Sequence, residues 1–131
     1  MGQSRIAFPG RAIELDASAL NSLNVIVEYL KVDPTINRII LDGYSDNSGN
    51  RLTNRELSRR RALAVMDFFK AQGFDESQIS LRFHGEQYPL VPNTSAVNRA
   101  KNRRVTVRLE RAGAPDKSVP QTAVSNPARI S

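Results

Sequence analysis

The residues able to do chemistry concentrate between Asp42-Gly43-Tyr44-Ser45-Asp46 and Arg61-Ala62. An apolar run, Arg38-Ile39-Ile40-Leu41, leads into Gly43, and a polar loop, Ser45-Asp46-Asn47-Ser48-Gly49-Asn50, follows it. The loop feeds a segment that opens as a helix at Thr53 and carries Asn54, Leu57, Ser58 and Arg61 on its first turns. A carboxylate at a strand end thus faces a helix start, whose free N–H groups and partial positive charge favour anions. A guanidinium sits two turns further along. Such a site can hold a small zwitterion, such as the free end of an amino acid, because a guanidinium fork matches a carboxylate with two parallel hydrogen bonds.

Other chemistries are poorly served. The chain has no cysteine, which removes disulfides, thiolate zinc sites and a thiol nucleophile. Its single histidine, His84, cannot make a His-rich metal site and lies far from any nucleophile motif. Glu14 and Glu86 are isolated, so a paired-carboxylate glycosidase is not indicated. The expectation is a binding protein with no cofactor and no enzymatic activity. The 19 Lys and Arg against 13 Asp and Glu leave a net charge of +6, which suits an anionic partner. The basic residues are spread along the chain, and the one run, Arg59-Arg60-Arg61, fans over about 200° of a helix. Nucleic-acid modules usually add exposed aromatics or a recognisable motif; neither is found, so nucleic acid is not the expected partner. No stretch reaches the ~18–20 apolar residues of a membrane span, and Met1-Gly2-Gln3-Ser4 has no apolar run behind it to act as a secretion signal.

The elements that must position the site follow from periodicity and punctuation. Ser4 to Phe8 reads as a first strand, broken by Pro9-Gly10. Asp16 can cap a helix on which Leu20, Leu23, Ile26, Val27 and Leu30 recur at helical spacing, ending before Asp33-Pro34. Arg38 to Tyr44 reads as a second strand, covered or central. Thr53-Asn54-Arg55-Glu56 fits a capping box for a second helix, with Leu57, Ala64, Val65, Phe68 and Phe69 on its buried face and Gly73 as its stop. A short turn over Asp75–Gln78 precedes a third strand, Ile79–Phe83. Gly85 to Ala96 is loop, and Asn98 to Arg103 a short helix. Arg104 to Leu109 alternates, with Val105, Val107 and Leu109 inward and the rest outward. The order strand-helix-strand-helix-strand-strand predicts an α/β (α+β) two-layer sandwich: a mixed sheet, parallel in part, with two main helices on one face. Residues 1–4 are expected to be an N-terminal tail or a cloning remnant, 5–111 the domain, and 112–131, rich in Ala, Pro, Ser and Thr, a disordered tail.

Several of these residues together carry a family signature. Gly43-Tyr44-Ser45-Asp46, Gly49, Asn54, Leu57-Ser58, Arg61-Ala62, Val65, Gly73, Gly85-Glu86, Pro89, Asn93, Arg99 and Asn102-Arg103-Arg104-Val105 resemble the OmpA-like C-terminal domain. That family includes the peptidoglycan-associated lipoproteins and the flagellar proteins MotB and MotY. The resemblance covers roughly residues 5 to 111, and several motifs in order make it specific. It implies non-covalent binding of bacterial peptidoglycan through the diaminopimelate of the stem peptide, in the periplasm, with no membrane span in this chain. By the resemblance, Asp46 pairs with the ligand ammonium and Arg61 grips its carboxylate. Asn54 belongs to the same pocket, Arg103 approaches the same ligand, and Leu57 and Ser48 flank them. Tyr44-Ser45 stands where the family usually has His-Thr, and Asn98 where a Gly precedes the family's Arg, here Arg99. Phe8-Pro9-Gly10 followed by Ala12-Ile13-Glu14-Leu15 is similar to the motility branch, which implies flagellar basal-body or stator proteins as partners.

Each residue also has a plainer reading. Asp46 can satisfy loop N–H groups in an Asx turn, and Arg61 can simply pair with Asp46. Asn54 can be a cap, and Arg103-Arg104 a solvated strand edge that discourages pairing. Arg59-Arg60-Arg61 can be a solvated face, and His84 structural. The alternative function is an envelope protein whose basic surface docks an acidic protein partner, with the pocket unused.

Overall fold

Each main helix begins where a short polar side chain can accept a free backbone N–H. In the computed structural model, which describes residues 3–111, Asp16 Oδ1 accepts from the Ala19 N–H at 2.8 Å and opens α1 (Ala17–Val32). Asn50 Oδ1 accepts from the Thr53 N–H at 2.8 Å and opens α2 (Arg51–Ala71). The sequence expectation of a Thr53 cap is therefore corrected: Asn50 captures the N–H of Thr53 first, and the helix starts two residues earlier. Glu56, freed from capping, instead binds Arg59 at 2.6 Å and Arg60 at 3.0 Å. Ser95 caps the short α3 (Ala96–Asn102).

The strands are β1 (Gln3–Ala7), β2 (Ile36–Tyr44), β3 (Ile79–Phe83) and β4 (Arg104–Arg111), in the spatial order β1-β4-β2-β3. β2 and β3 are parallel, with Asp42 opposite Arg82 and Gly43 opposite Phe83. β4 runs antiparallel to both β1 and β2 and lies between them. The α1 crossover leaves a slot between β1 and β2, and the last strand fills it. Arg103-Arg104 therefore does not form a sheet edge: Tyr44 pairs with Arg104 and Gly43 with Val105 in the middle of the sheet. That register also sets Arg103 beside the loop that follows β2.

The core lies on one face of the sheet. Ile6, Phe8, Ile39, Leu41, Val105, Val107 and Leu109 meet Leu23, Ile26, Val27 and Leu30 of α1 and Val65 and Phe69 of α2, all buried. The buried line of α2 differs from the apolar period. Asn54, Ser58, Arg61, Ala62, Val65 and Phe69 face the sheet, while Leu57, Ala64 and Phe68 are half-buried. Close approach causes this. A Cβ at Gly43 would lie 2.2 Å from the Ser58 carbonyl oxygen, so only glycine lets the first half of α2 lie against β2. Small and polar side chains occupy the contact there, and large apolar ones only where the helix has moved on.

On the opposite face, the outward positions of β4 are not all exposed. Arg104 and Thr106 are buried, and the Arg104 guanidinium lies 3.8 Å from the centre of the Tyr44 ring. Arg59-Arg60-Arg61 divides: the first two are surface partners of Glu56, and Arg61 is fully buried. No helix among the described residues is long and apolar enough to cross a membrane. The tail expected over 112–131 lies outside the described residues.

Overpacking a tight contact against rigid backbone costs about 1–3 kcal/mol. Gly43→Ala is therefore expected to lower the unfolding free energy by that much, read as a lower urea midpoint with an unchanged m-value. A midpoint equal to the parent's would show that α2 can move off β2 without cost.

Candidate ligand-binding site

The loop after β2, the first turns of α2, the β1–α1 loop and the start of β4 converge at one end of the sheet. Asp46 is 5% exposed. Its Oδ1 accepts from the Ser48 N–H at 2.9 Å, an Asx turn, and its Oδ2 accepts from Arg103 Nη1 at 2.8 Å. The ion partner of Asp46 is thus Arg103 rather than Arg61. Arg103 also donates from Nε to the Phe8 carbonyl at 3.1 Å. Burial by itself pushes the Asp46 carboxyl up, but the Ser48 N–H and Arg103 outweigh it and hold the group below the usual carboxylate range.

Arg61 has no exposed surface. Its Nη2 donates to the Gly10 carbonyl at 2.6 Å and its Nε to the Ala12 carbonyl at 2.9 Å. The ring of Phe8 lies 5.4 Å from the guanidinium carbon. Nη1 is buried with no hydrogen-bond partner among the described residues. Burial pushes the Arg61 pKa down to about 10; Arg103 and Arg11 act in the same direction, and Asp46 opposes them. The group is still a cation at neutral pH. Part of the fork that the sequence assigned to a ligand holds backbone instead, and one nitrogen is left over.

Asn54 is almost fully buried and its amide is fully engaged. Oδ1 accepts from the Gly49 N–H at 3.2 Å, and Nδ2 donates to the Gly49 carbonyl at 3.0 Å and to Glu86 Oε1 at 2.7 Å. It ties the Asp46 loop to α2 and to the β3–α3 loop. Ser58 continues this seam, accepting from the Gly85 N–H at 2.9 Å. Ser48 is exposed and Leu57 half-buried, Leu57 lining an open groove along α2. Asp46, Arg61 and Arg103 therefore come together, Asn54 shapes their loop, and Ser48 and Leu57 flank it.

Sequence reasoning missed a second polar cluster directly behind this loop. Asp42, 4% exposed, accepts from Arg82 Nε and Nη2 at 2.7 and 2.9 Å and lies 2.8 Å from His84 Nε2. The His84 ring stacks on Tyr44 at 4.8 Å. Burial pushes the Asp42 carboxyl up, but the His84 and Arg82 hydrogen bonds hold it below its ordinary value. Burial, reinforced by Asp42, pushes the Tyr44 hydroxyl up to about 12, so it stays protonated. The backbone beside this cluster also joins the loops: His84 N–H donates to the Gly43 carbonyl at 2.9 Å, and Ser45 N–H to that of Gly85 at 2.8 Å. Only the β2–β3 register could have exposed the Asp42–Arg82 pair, and sequence spacing does not contain it.

The comparisons with known proteins agree with this architecture. The model of the OmpA family matches residues 7–103. The peptidoglycan-associated lipoprotein of Pseudomonas putida is 35% identical over 72% of this chain and 56% of its own length. The sodium-type flagellar protein MotY of Vibrio parahaemolyticus is 26% identical over 75% of this chain and 33% of its own length. The crystal structure of the C-terminal domain of Helicobacter pylori MotB superposes with a TM-score of 0.73 at 22% identity, covering 84% of this chain and 86% of that one. A four-stranded mixed sheet with helices on one face and a polar site at the strand ends defines an OmpA-like domain. The chain belongs to the OmpA family. Its relatives from both the lipoprotein and the flagellar branches are longer than the part it matches, the chain spanning about a third to just over half of their lengths.

Two outcomes follow. A buried carbonyl left without a donor costs about 1–3 kcal/mol. Arg61→Lys, which cannot span the Gly10 and Ala12 carbonyls with a planar fork, is expected to lose at least that much stability in denaturant unfolding. The depressed carboxyls of Asp42 and Asp46 contribute stability that is present above the ordinary value of 3.8 and lost as the pH falls through the lower folded values. Urea midpoints are expected to fall on acidification below about pH 5, with a shallower slope for Asp42→Asn. An unchanged slope would show that the buried pair does not couple folding to protonation.

Proposed function

We propose that this domain is a non-covalent anchor for bacterial peptidoglycan, holding the diaminopimelate of the stem peptide at the Asp46–Arg61–Arg103 cluster. The observation that carries it is the buried Arg61 cation, whose Nη1 has no partner among the described residues, set beside one carboxylate that already accepts from Arg103. Such a cluster has room in its charge balance for an incoming carboxylate. The free end of diaminopimelate presents a carboxylate and an ammonium on one carbon. The carboxylate is drawn by the Arg61 charge and by Arg103, reaching the buried Nη1 through a local shift of the loop around it, and the ammonium takes Asp46. Asn54 keeps the loop in register, and Ser48 and Leu57 border the ligand. Membership of the OmpA family and the similarity to a peptidoglycan-associated lipoprotein support the reading. The role is anchoring, not catalysis, and the setting is the periplasm. The anchored machinery is an envelope complex or, by likeness to MotY and MotB, a flagellar stator assembly.

Charge-assisted bonds at a partly solvated site give modest affinity, so firm attachment comes from many copies meeting one polymer. One observation favours the alternative of an acidic protein partner: Arg5, Arg38 and Arg108 share the sheet face away from the helices, with Glu110 paired to Arg38. Co-sedimentation with purified sacculi separates the two. The parent is expected to pellet with diaminopimelate-type sacculi. Asp46→Asn, folded by circular dichroism, is expected to bind about tenfold less, as is the parent with lysine-type sacculi, which lack the second carboxylate. Equal pelleting in all three cases, abolished by salt, would transfer the function to the basic face.

A further inference from the structure

We propose that Arg11 is a second anion-holding group of this site, so that the domain recognises a stem peptide carrying a free carboxylate beyond the diaminopimelate head group. The inference rests on the peptidoglycan reading above and extends it to a residue outside the family signature.

Three observations carry it. First, the backbone of Arg11 is held on both sides. Arg61 donates to the carbonyl before it, Gly10 at 2.6 Å, and to the carbonyl after it, Ala12 at 2.9 Å, and the Ala12 N–H closes a turn onto Pro9 at 2.9 Å. Gly10 takes the left-handed conformation, φ +52°, that this turn needs. The buried arginine thus presents a neighbouring exposed one. Second, the Arg11 side chain has no hydrogen-bond or carboxylate partner among the described residues, yet it is not loose in solvent. Its Nη2 lies 3.6 Å from where a Cβ on Gly49 would stand, so the guanidinium rests against the Asp46 loop. It also lines, with Ile13, Leu52, Thr53, Glu56, Leu57 and Arg60, an open groove of about 500 Å³ that runs along α2. Third, the local charge does not balance. Arg103 and Arg11 both act on Arg61, where Asp46 is the one opposing carboxylate, and Glu56 in the groove is already taken by Arg59 and Arg60. A bound zwitterion is neutral and leaves that excess in place; a second carboxylate reduces it.

Stem peptides offer that carboxylate from two sources, the α-carboxyl of the γ-linked D-glutamate and the C-terminal carboxyl. Either is one residue away from diaminopimelate. Arg11 would read whether that group is free or amidated, since an amide keeps the shape and removes the charge.

The test is calorimetric titration with L-Ala-γ-D-Glu-meso-diaminopimelate-D-Ala and two analogues, one amidated at the glutamate α-carboxyl and one at the C-terminus. The proteins are the parent, Arg11→Gln, Arg11→Lys and Asp46→Asn, each checked for folding by circular dichroism. One of the two amidations is expected to weaken the parent about threefold to tenfold, the range for a charge-assisted contact partly open to solvent. Arg11→Gln is expected to weaken the free peptide by a similar factor and to be indifferent to that amidation, and Arg11→Lys to retain part of the discrimination. The sensitive analogue names the source. If Asp46→Asn loses binding while Arg11→Gln matches the parent on all three peptides, the Arg11 assignment is wrong and the peptidoglycan reading stands. If Arg11→Gln remains as sensitive to amidation as the parent, the carboxylate is read elsewhere and the assignment is again wrong. If the parent binds none of the peptides, or Asp46→Asn binds as the parent does, the site itself is misassigned and both fall together.

Discussion

A guanidinium with no exposed surface is the constraint on which the functional end of this molecule depends. Burying a cation is expensive unless its donors are used, and removing one partner of such a group leaves the rest uncompensated. Arg61 meets the requirement with two backbone carbonyls rather than with a carboxylate. In doing so it joins α2 to the β1–α1 loop across the open end of the sheet. Asp46 and Arg103 then complete the cluster from the β2–α2 loop and the start of β4. Four separate parts of the chain are thereby held around one charge, one nitrogen of which has no hydrogen-bond partner among the described residues.

The molecule divides its work along the strands. Aliphatic burial holds α1 and the second half of α2 to the sheet, through Leu23, Ile26, Val27, Val65 and Phe69. That interaction is non-directional and tolerates small shifts. At the other end the contacts are directional. Ser58, Asn54 and the backbone of Gly85 form a hydrogen-bonded seam in which each group has a named partner. Gly43 sets the distance across it. Buried polar networks of this kind specify one geometry because any partial arrangement leaves an unsatisfied group in low dielectric. The Asp46 loop is carried on that seam through Gly49 and Asn54, which holds it in one arrangement.

The Asp42 cluster extends the same logic to the far side of the sheet. Arg82 and His84 on β3 and its exit hold Asp42 on β2, and Tyr44 lies between His84 and Arg104. Asp42 is a strand residue and Asp46 a loop residue, four positions apart, and the two face different partners. One knits β2 to β3; the other is tied to β4. Their carboxyls are both held low, each by its own arginine and one further hydrogen-bond donor, with burial opposing in both cases.

Much of this was legible without coordinates. The alternation of Val105, Val107 and Leu109, the helical spacing of Leu23, Ile26, Val27 and Leu30, and the Asp16 cap are local patterns, and local patterns are what hydrophobic periodicity and capping report. The strand-helix order dictated a two-layer mixed sheet, and the motif residues singled out Asp46, Arg61 and Arg103, which the fold brings together. The sequence did not show that Arg61 turns two donors to the β1–α1 loop, that Asn50 caps α2, or that Asn54 is wholly engaged as a staple. It also did not show that Arg11 lies beside Gly49, or that Asp42 and Arg82 are opposite. These are pairings between residues far apart in the chain, decided by strand register and by how closely α2 can approach Gly43. By itself, the sequence determined which side chains are apolar, which can cap and which can carry charge, because those are properties of single residues and short spacings. Only the tertiary structure decided which charge met which, because a partner chosen across the fold depends on distances that no spacing along the chain encodes.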